Sequence, residues 1–198
     1  MMLRPSITAA LAWVACFVGA AFAPAAVLAQ PKPAQLLAAG SEIAFVTRQM
    51  GVPVEGRFGR FSAQIVLDPR KPESGSVGIT IETASARFGS AEVDAEVPKA
   101  TWLDAARFPQ ARFESTSIKA AGPGRFEVAG KLGIKGSARD IVVPVQITQV
   151  GTTSQASGMF TIKRLDFKVG IDEWADTSML ANDVQVRFKL ALAGLAPL

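Results

Sequence analysis

Residues that could carry out chemistry near neutral pH are scarce in this chain. It has no His and no Tyr, and Cys16 is its single Cys. Most nucleophiles, general bases and transition-metal sites that act near neutral pH use one of these three side chains. The composition therefore argues against an enzyme and against a bound metal or other cofactor. It favours a protein that holds something apolar.

A charged residue near the C-terminal end stands in an unusual place. Arg164 follows Phe160 and Ile162 in an alternating run, so it is predicted to share their apolar face. A charge on such a face needs a partner. Two interpretations stay open: an ion pair with Asp166 or Asp176 that closes one end of the fold, or a donor to the polar head group of a bound lipid.

An acidic loop follows, in which Asp172, Glu173 and Asp176 surround Trp174. A calcium site needs many oxygen ligands at ordered spacing, and the Gly-containing loop pattern is missing here. Carboxylate pairs can perform glycosidase-like acid and base catalysis, but nothing in this spacing indicates it. We interpret the loop as solvated, with Trp174 covering one end of the fold.

Residues 1–29 have the pattern of a cleavable secretory signal peptide. A short start containing Arg4 precedes the nearly continuous apolar run 7–23, and Val27 and Ala29 form a small-residue exit. This order is typical of signal peptides. The alternative is an uncleaved anchor, because the apolar run approaches the length of a membrane span. We expect export to the periplasm.

Cys16 lies inside this segment and raises the alternative of a lipoprotein. The usual Leu three positions upstream is missing, and apolar sequence continues past Cys16, so we expect it to leave with the signal peptide. The mature chain would then contain no Cys and depend on its core and sheet for stability.

The charge of the chain is mild and evenly spread. Removing Arg4 from the 21 basic residues leaves 20 against 17 acidic ones, so the formal charge falls from +4 to +3. No basic cluster indicates nucleic acid binding. The expected partner is an apolar lipid, while transient membrane contact and a homodimer stay open.

The mature chain alternates apolar and polar residues over short segments separated by Pro, Gly, Ser and Asp. This pattern predicts an all-β fold, and we favour a single eight-stranded antiparallel barrel over a two-sheet sandwich. One short helix is expected within 95–106, beginning near Pro98. Residues 30–40 are expected to be a lead-in, with the domain spanning 41–198. The predicted strands lie at 41–47, 56–67, 76–84, 111–118, 125–134, 141–150, 157–167 and 184–192.

A barrel of this size has room for a small ligand or one extended lipid chain. The predicted wall consists of the apolar residues on the shared faces of the strands, and each could equally be an ordinary core side chain. Together with Arg164 and Trp174, the predicted ligand-binding residues are Phe61, Ile65, Val77, Ile79, Phe113, Phe126, Val128, Leu132, Val145, Ile147, Phe160, Ile162, Val186 and Phe188.

Four stretches, in their order and spacing, resemble the YceI-like family of exported, lipocalin-like proteins. The similarity covers about residues 41–192. The first stretch, 51–58, contains the motif G-x-F, and the second, 102–116, runs from an aromatic-Asp pair to the segment F-P-Q-A-R-F-E-S. The third, 130–140, reads G-K-L-G-I-K-G-S-A-R-D. The fourth consists of 163–167 together with 173–177 and 183–186.

The resemblance implies a lipocalin-type barrel with a long apolar lumen, a polyisoprenoid chain or isoprenoid quinone as ligand, a periplasmic location and no catalytic activity. The chain departs from the family pattern at Gly133 and Lys168, and it lacks the acidic-His pair common before the helix. These departures leave the predicted fold unchanged, but because of them the resemblance does not specify which ligand this chain binds. The alternatives are a ligand-free envelope stress protein that acts through its surface and, against the composition, an enzyme acting on lipids.

Overall fold

The computed structural model describes residues 32–198, and its strands form one antiparallel sheet of ten strands. The order in the sheet is β3-β4-β6-β7-β8-β9-β10-β1-β2-β5. The signal-peptide prediction for residues 1–29 and the fate of Cys16 lie outside the described residues. The strands are β1 Gln35–Gln49, β2 Val52–Phe58, β3 Phe61–Val66, β4 Ser76–Glu82, β5 Ala86–Arg87, β6 Gln110–Gly122, β7 Arg125–Ile134, β8 Ser137–Val150, β9 Thr153–Lys163 and β10 Asp183–Ala193.

The sheet curls until its two sides meet at one backbone bridge. The N–H of Ala34, just before β1, donates to the carbonyl of Ile65 in β3 at 2.7 Å. The all-β class with one short helix is confirmed, but the strand count is ten instead of eight. The predicted strand at 56–67 is interrupted at Gly59 and Arg60, and β5 is a two-residue strand that pairs with the end of β2.

The inner face of the curled sheet carries the core. Buried residues from several strands, among them Ile43, Ile65, Phe126, Ile147 and Leu190, form one hydrophobic cluster. Side chains alternate between the two faces of a strand, so the polar residues between them face outward.

Among residues 32–198, the single α-helix lies N-terminal to the predicted one. α1 spans Ala91–Glu96, and residues 97–107 form successive turns instead of a helix starting at Pro98. The backbone N–H groups of this stretch bond over irregular distances, with Leu103 donating to Val97 and Ala105 donating to Pro98. Because an α-helix needs the regular four-residue pattern, helical composition alone misplaced the element.

Two bulges reverse the alternation inside long strands. The register of β1 against β10 shifts between Leu37 and Glu42, and that of β6 against β7 shifts between Ser115 and Ser117. A bulge inserts a residue, so the side chains beyond it exchange faces. Residues 35–40, predicted as a lead-in, belong to β1, because its first residues pair with the end of β10.

Three of the connections between strands meet at one end of the sheet. Residues 164–182 contain short 3₁₀ helices at Arg164–Phe167 and Asp172–Ala175, and they join β9 to β10. Residues 97–109 lead into β6 at the same end, and the β7–β8 turn lies there as well. We call the segments 97–109 and 164–182 the cap.

Candidate ligand-binding site

The curled sheet encloses an interior cavity of about 120 Å³ whose lining side chains are all apolar. Several of these side chains, such as Ile79, Phe113 and Phe188, point inward and are only half-buried. Inward side chains keep accessible surface when they border empty space. The interior is therefore not packed solid, although the cavity is smaller than the roughly 300–1,000 Å³ typical of ligand sites.

Most of the predicted wall residues border this cavity. Four predicted ligand-binding residues do not: Phe61, Ile162, Arg164 and Trp174. Phe61 lies at an outer groove, Ile162 is half-buried near the end of β9, and Trp174 packs against Trp102 with ring centroids 5.2 Å apart. Those that border the cavity are Ile65, Val77, Ile79, Phe113, Phe126, Val128, Leu132, Val145, Ile147, Phe160, Val186 and Phe188.

Other lining residues were missed by the sequence reasoning. Val143 and Ala156 have the same parity as predicted wall residues of their own strands, so extending the alternation would have found them. Ile118 could not be found in this way, because the bulge in β6 reverses its parity relative to Phe113. The missed lining residues are Ile43, Leu67, Ile81, Ile118, Val143, Ala156, Leu190, Leu192 and Leu195.

Two of the aromatic rings that border the cavity pack against glycines on neighbouring strands. A Cβ built on Gly158 of β9 would lie 2.5 Å from Cζ of Phe188, its register partner on β10. A Cβ on Gly130 of β7 would lie 2.6 Å from Cζ of Phe113. Each ring thus contacts backbone at a position where only glycine leaves room for it. A larger residue at either glycine would push the aromatic ring into the cavity and narrow it.

Arg164 is a structural centre of the cap and lies outside the cavity wall. Its side chain is buried, with 3% of the residue exposed. β9 ends at Lys163, so the alternation that placed Arg164 beside Phe160 stops one residue too early. Neither predicted interpretation holds, because the ion pairs of the described residues do not include Arg164 and its donors are already engaged.

The guanidinium group of Arg164 uses its whole donor set on backbone carbonyls. A guanidinium carries five N–H groups in a fixed fork. Its burial lowers the pKa of Arg164. Nε donates to Ala181 O at 3.0 Å, one terminal nitrogen donates to Val169 O at 3.0 Å and Gly170 O at 2.5 Å, and the other donates to Trp174 O at 2.6 Å and Leu180 O at 2.8 Å.

Lys135, in the β7–β8 turn, forms hydrogen bonds to both segments of the cap. Lys135 and Gly136 have φ of +47° and +74°, as the centre of a type I′ hairpin turn requires. Lys135 Nζ donates to Ala100 O at 2.6 Å and to Lys168 O at 2.7 Å, and the residue is 9% exposed. One ammonium group thereby links residues 97–109 to residues 164–182.

Replacing Lys135 by Met is expected to reduce the free energy of unfolding by about 2 kcal/mol at pH 7, because the carbonyls of Ala100 and Lys168 lose the charged donor that a buried side chain supplies. Burial lowers the pKa of Lys135 below its ordinary value of 10.5, with Asp104 and Asp172 opposing the shift. The folded state then binds this proton less tightly than the unfolded chain. Wild type should therefore gain stability relative to K135M as pH rises toward 10.5.

Urea denaturation at pH 7 and pH 10 measures both effects. Lys131→Met is the matched control, because Lys131 lies on the same hairpin and forms an exposed ion pair with Asp140 at 2.8 Å. Exposed pairs of this kind contribute about 0–1 kcal/mol. If K135M were as stable as K131M at pH 7, the bonds of Lys135 would contribute nothing to the cap.

An outer groove of about 810 Å³ lies where the curled sheet is incompletely closed. Its apolar part is formed by Leu36, Phe58 and Phe61, which also pack against the interior cluster. These side chains therefore separate the groove from the interior. Charged residues at the rim are Glu42, Arg57, Arg60, Glu82 and Lys189.

The sequence profile of the YceI-like domain matches residues 35–192. The chain belongs to the YceI-like family. Among curated proteins, a UPF0312 protein of Vibrio cholerae is 28% identical over 157 residues, which cover 74% of this chain and 83% of the relative. The family assignment that the four sequence stretches predicted is confirmed.

Solved YceI-like structures share the fold. The crystal structure of Burkholderia cenocepacia BcnA is 43% identical, covers 79% of this chain and 99% of BcnA, and has a TM-score of 0.77. A polyisoprenoid binding domain from Saccharophagus degradans, implicated in plant cell wall breakdown, is 15% identical with a TM-score of 0.64. That match covers 82% of this chain and 97% of the domain. At such low identity it supports the fold alone.

The acidic loop of this YceI-like chain is solvent-exposed, as predicted. Asp172, Glu173 and Asp176 are exposed, and hydrogen bonds from Ser178 lower the pKa of Asp176. Within residues 32–198, no group of three or more His, Cys, Asp or Glu side chains could hold a metal ion. In the same part of the chain, no helix has the length and apolarity to cross a membrane.

Proposed function

We propose that this YceI-like protein is an exported, periplasmic and non-catalytic carrier that holds an isoprenoid-type lipid or quinone inside its curled sheet. The observation that carries the proposal is an interior bordered only by apolar side chains, many of them half-buried. Burial of apolar surface contributes roughly 25 cal/mol per Å², so such an interior can hold an isoprenoid chain without specific polar contacts. The polyisoprenoid binding domain from Saccharophagus degradans has the same fold, so the fold is compatible with a ligand of this class.

The interior must widen when the ligand binds. A cavity of about 120 Å³ accommodates only part of an isoprenoid chain, so inward side chains have to change rotamer around it. Phe113, Phe160 and Phe188 border the cavity and are half-buried, so they have room to move. Rotamer changes of this kind are common when a protein binds a partner without backbone movement.

Mass spectrometry of the exported protein tests the proposal. The full chain is expressed in a Gram-negative host, recovered from the periplasmic fraction and extracted with organic solvent. We expect a mature start at Gln30 and a stoichiometric prenyl lipid or quinone. A protein that is ligand-free and takes up no ubiquinone-8 from vesicles would contradict the carrier function, and the surface-acting stress protein would then replace it. Sedimentation of the same sample tests the homodimer.

Filling the interior should abolish binding. Ala156 is buried on β9 and borders the cavity, so Ala156→Leu places three additional carbons in a cavity of about 120 Å³. We expect bound lipid to fall at least tenfold, measured by extraction and mass spectrometry. Thr161→Leu is the control, because Thr161 is exposed on the same strand. Unchanged lipid content in a folded A156L protein would place the ligand outside the interior.

A further inference from the structure

The two sides of the curled sheet meet along a seam between β1 and β3 that is almost unpaired. β1 and β3 are not neighbours in the hydrogen-bonded order, and the bridge from Ala34 to Ile65 is their only backbone bond among the described residues. Apart from β2 and β5, which pair over two residues, the neighbouring strands of the described sheet pair over five or more, as β3 and β4 do from Phe61 to Val66. The wall is therefore weakest along this seam.

The bulge of β1 lies at the groove, which Ala38, Gly40 and Ser41 line. Within residues 37–42 the pairing of β1 with β10 is interrupted, and Gly40 has φ of +87°. The hydroxyl of Ser41 donates to Leu37 O at 2.6 Å and accepts from the N–H of Ala191 at 2.9 Å. The Ser41 side chain thus takes the place of the backbone bonds that β1 and β10 lack in the bulge, and its two hydrogen bonds fix the shape of the bulge.

Only side chains separate the outer groove from the interior at this seam. Leu36 and Phe61 contact the groove on one side and the interior cluster on the other. Both residues are half-buried, and Ala38 beside them is exposed. Rotation of side chains requires far less rearrangement than separation of paired strands, because each broken backbone hydrogen bond leaves buried polar groups unsatisfied.

The capped end offers a less favourable route. There the carbonyls of residues 169–181 converge on Arg164, and Lys135 joins the two halves of the cap. Gly170 N–H also donates to Thr101 O at 2.9 Å. Opening this end would expose a buried guanidinium and several carbonyls at once.

We propose that the seam between β1 and β3 is the lateral portal through which an isoprenoid chain reaches the interior, with Leu36 and Phe61 as its gate. This inference rests on the carrier function proposed above. The chain passes from the outer groove between these two side chains, while the capped end stays closed. The bulge at 37–42 lies beside this route, because residues 38 and 40–42 line the groove.

A chemical crosslink across the seam tests the portal. Ala38 and Ser62 line the groove on β1 and β3, so A38C/S62C joined by a short bis-maleimide ties the two sides together. A Cys16→Ser background makes this pair the only thiols. The control is K119C/E127C with the same reagent, because Lys119 and Glu127 are exposed partners on the paired strands β6 and β7 and line neither the groove nor the interior.

Uptake of ubiquinone-8 from phosphatidylcholine vesicles is followed by removing the vesicles and extracting the protein. We expect the seam crosslink to slow uptake at least tenfold and the control crosslink to change it less than twofold. Protein loaded before crosslinking should keep its quinone and release it at least tenfold more slowly, which shows that the interior is intact. Equal rates in the two crosslinked proteins would overturn the portal but not the carrier function. Failure of the uncrosslinked protein to bind would overturn both.

Discussion

Replacing Arg164 by Lys is expected to lower the free energy of unfolding by about 3 kcal/mol, although the charge is kept. The five N–H groups of Arg164 bond to five carbonyls of residues 169–181. A lysine ammonium has three donors at one point and cannot reproduce this fork. Each hydrogen bond to a charged group contributes about 1.5–3 kcal/mol, so losing two exceeds the effect of most substitutions.

Thermal and urea unfolding of R164K measure this loss, which corresponds to a decrease in Tm of about 10 °C for a domain of this size. Arg187→Lys is the control, since Arg187 is exposed and its single ion pair joins it to Glu55 at 3.3 Å. That variant should stay within about 0.5 kcal/mol of wild type. If R164K had the same free energy of unfolding as R187K, the carbonyls around Arg164 would not need the hydrogen bonds that its guanidinium group donates.

Replacing Gly158 by Val is expected to cost about 3 kcal/mol and to reduce ligand binding together with stability. The new Cβ would lie 2.5 Å from Cζ of Phe188 and still closer to the carbonyl oxygen of Pro144. The ring can move only toward the cavity that it borders, and the backbone carbonyl cannot move without disturbing β8. Overpacking of this kind costs about 1–3 kcal/mol, and more when the backbone must shift.

Gly78→Val is the matched control for this substitution. Gly78 also lies within a strand, and the nearest atom to its built Cβ is Gln64 O at 3.9 Å, an ordinary contact. Valine there should be neutral or slightly stabilising, because it favours extended backbone and reduces the freedom of the unfolded chain. Equal stability of G158V and G78V would mean that the Phe188 ring and the neighbouring backbone can move away from the new side chain without a loss of stability.

Alternation of apolar residues was sufficient to predict the all-β class and most of the cavity wall. It works where a strand runs without interruption, as for Val184 to Leu192 in β10. It failed at Ile118, because Ile118 lies across a bulge from Phe113, whose position set the expected alternation in β6. The energy of a bulge depends on partner strands distant in sequence, and one sequence does not contain that information directly.

The role of Arg164 was also beyond local pattern. Its five acceptors are backbone carbonyls, which every residue type carries, so no motif of side chains marks them. The outer groove depends on where β1 diverges from β3, two strands related by a single bridge. By contrast, the four family stretches gave the fold without any knowledge of these contacts.

The wholly apolar lining of the interior has a consequence for selectivity. A wall without hydrogen-bonding groups distinguishes molecules by volume and length, and each additional buried CH₂ adds only about 0.8 kcal/mol. Such a wall rejects an analogue of similar shape weakly, unlike a site whose polar groups would be left unpaired. Competing lipids of equal chain length would therefore be bound in proportion to their abundance. For the carrier function proposed above, the composition of the surrounding envelope, as much as the protein, would then decide which molecule is held.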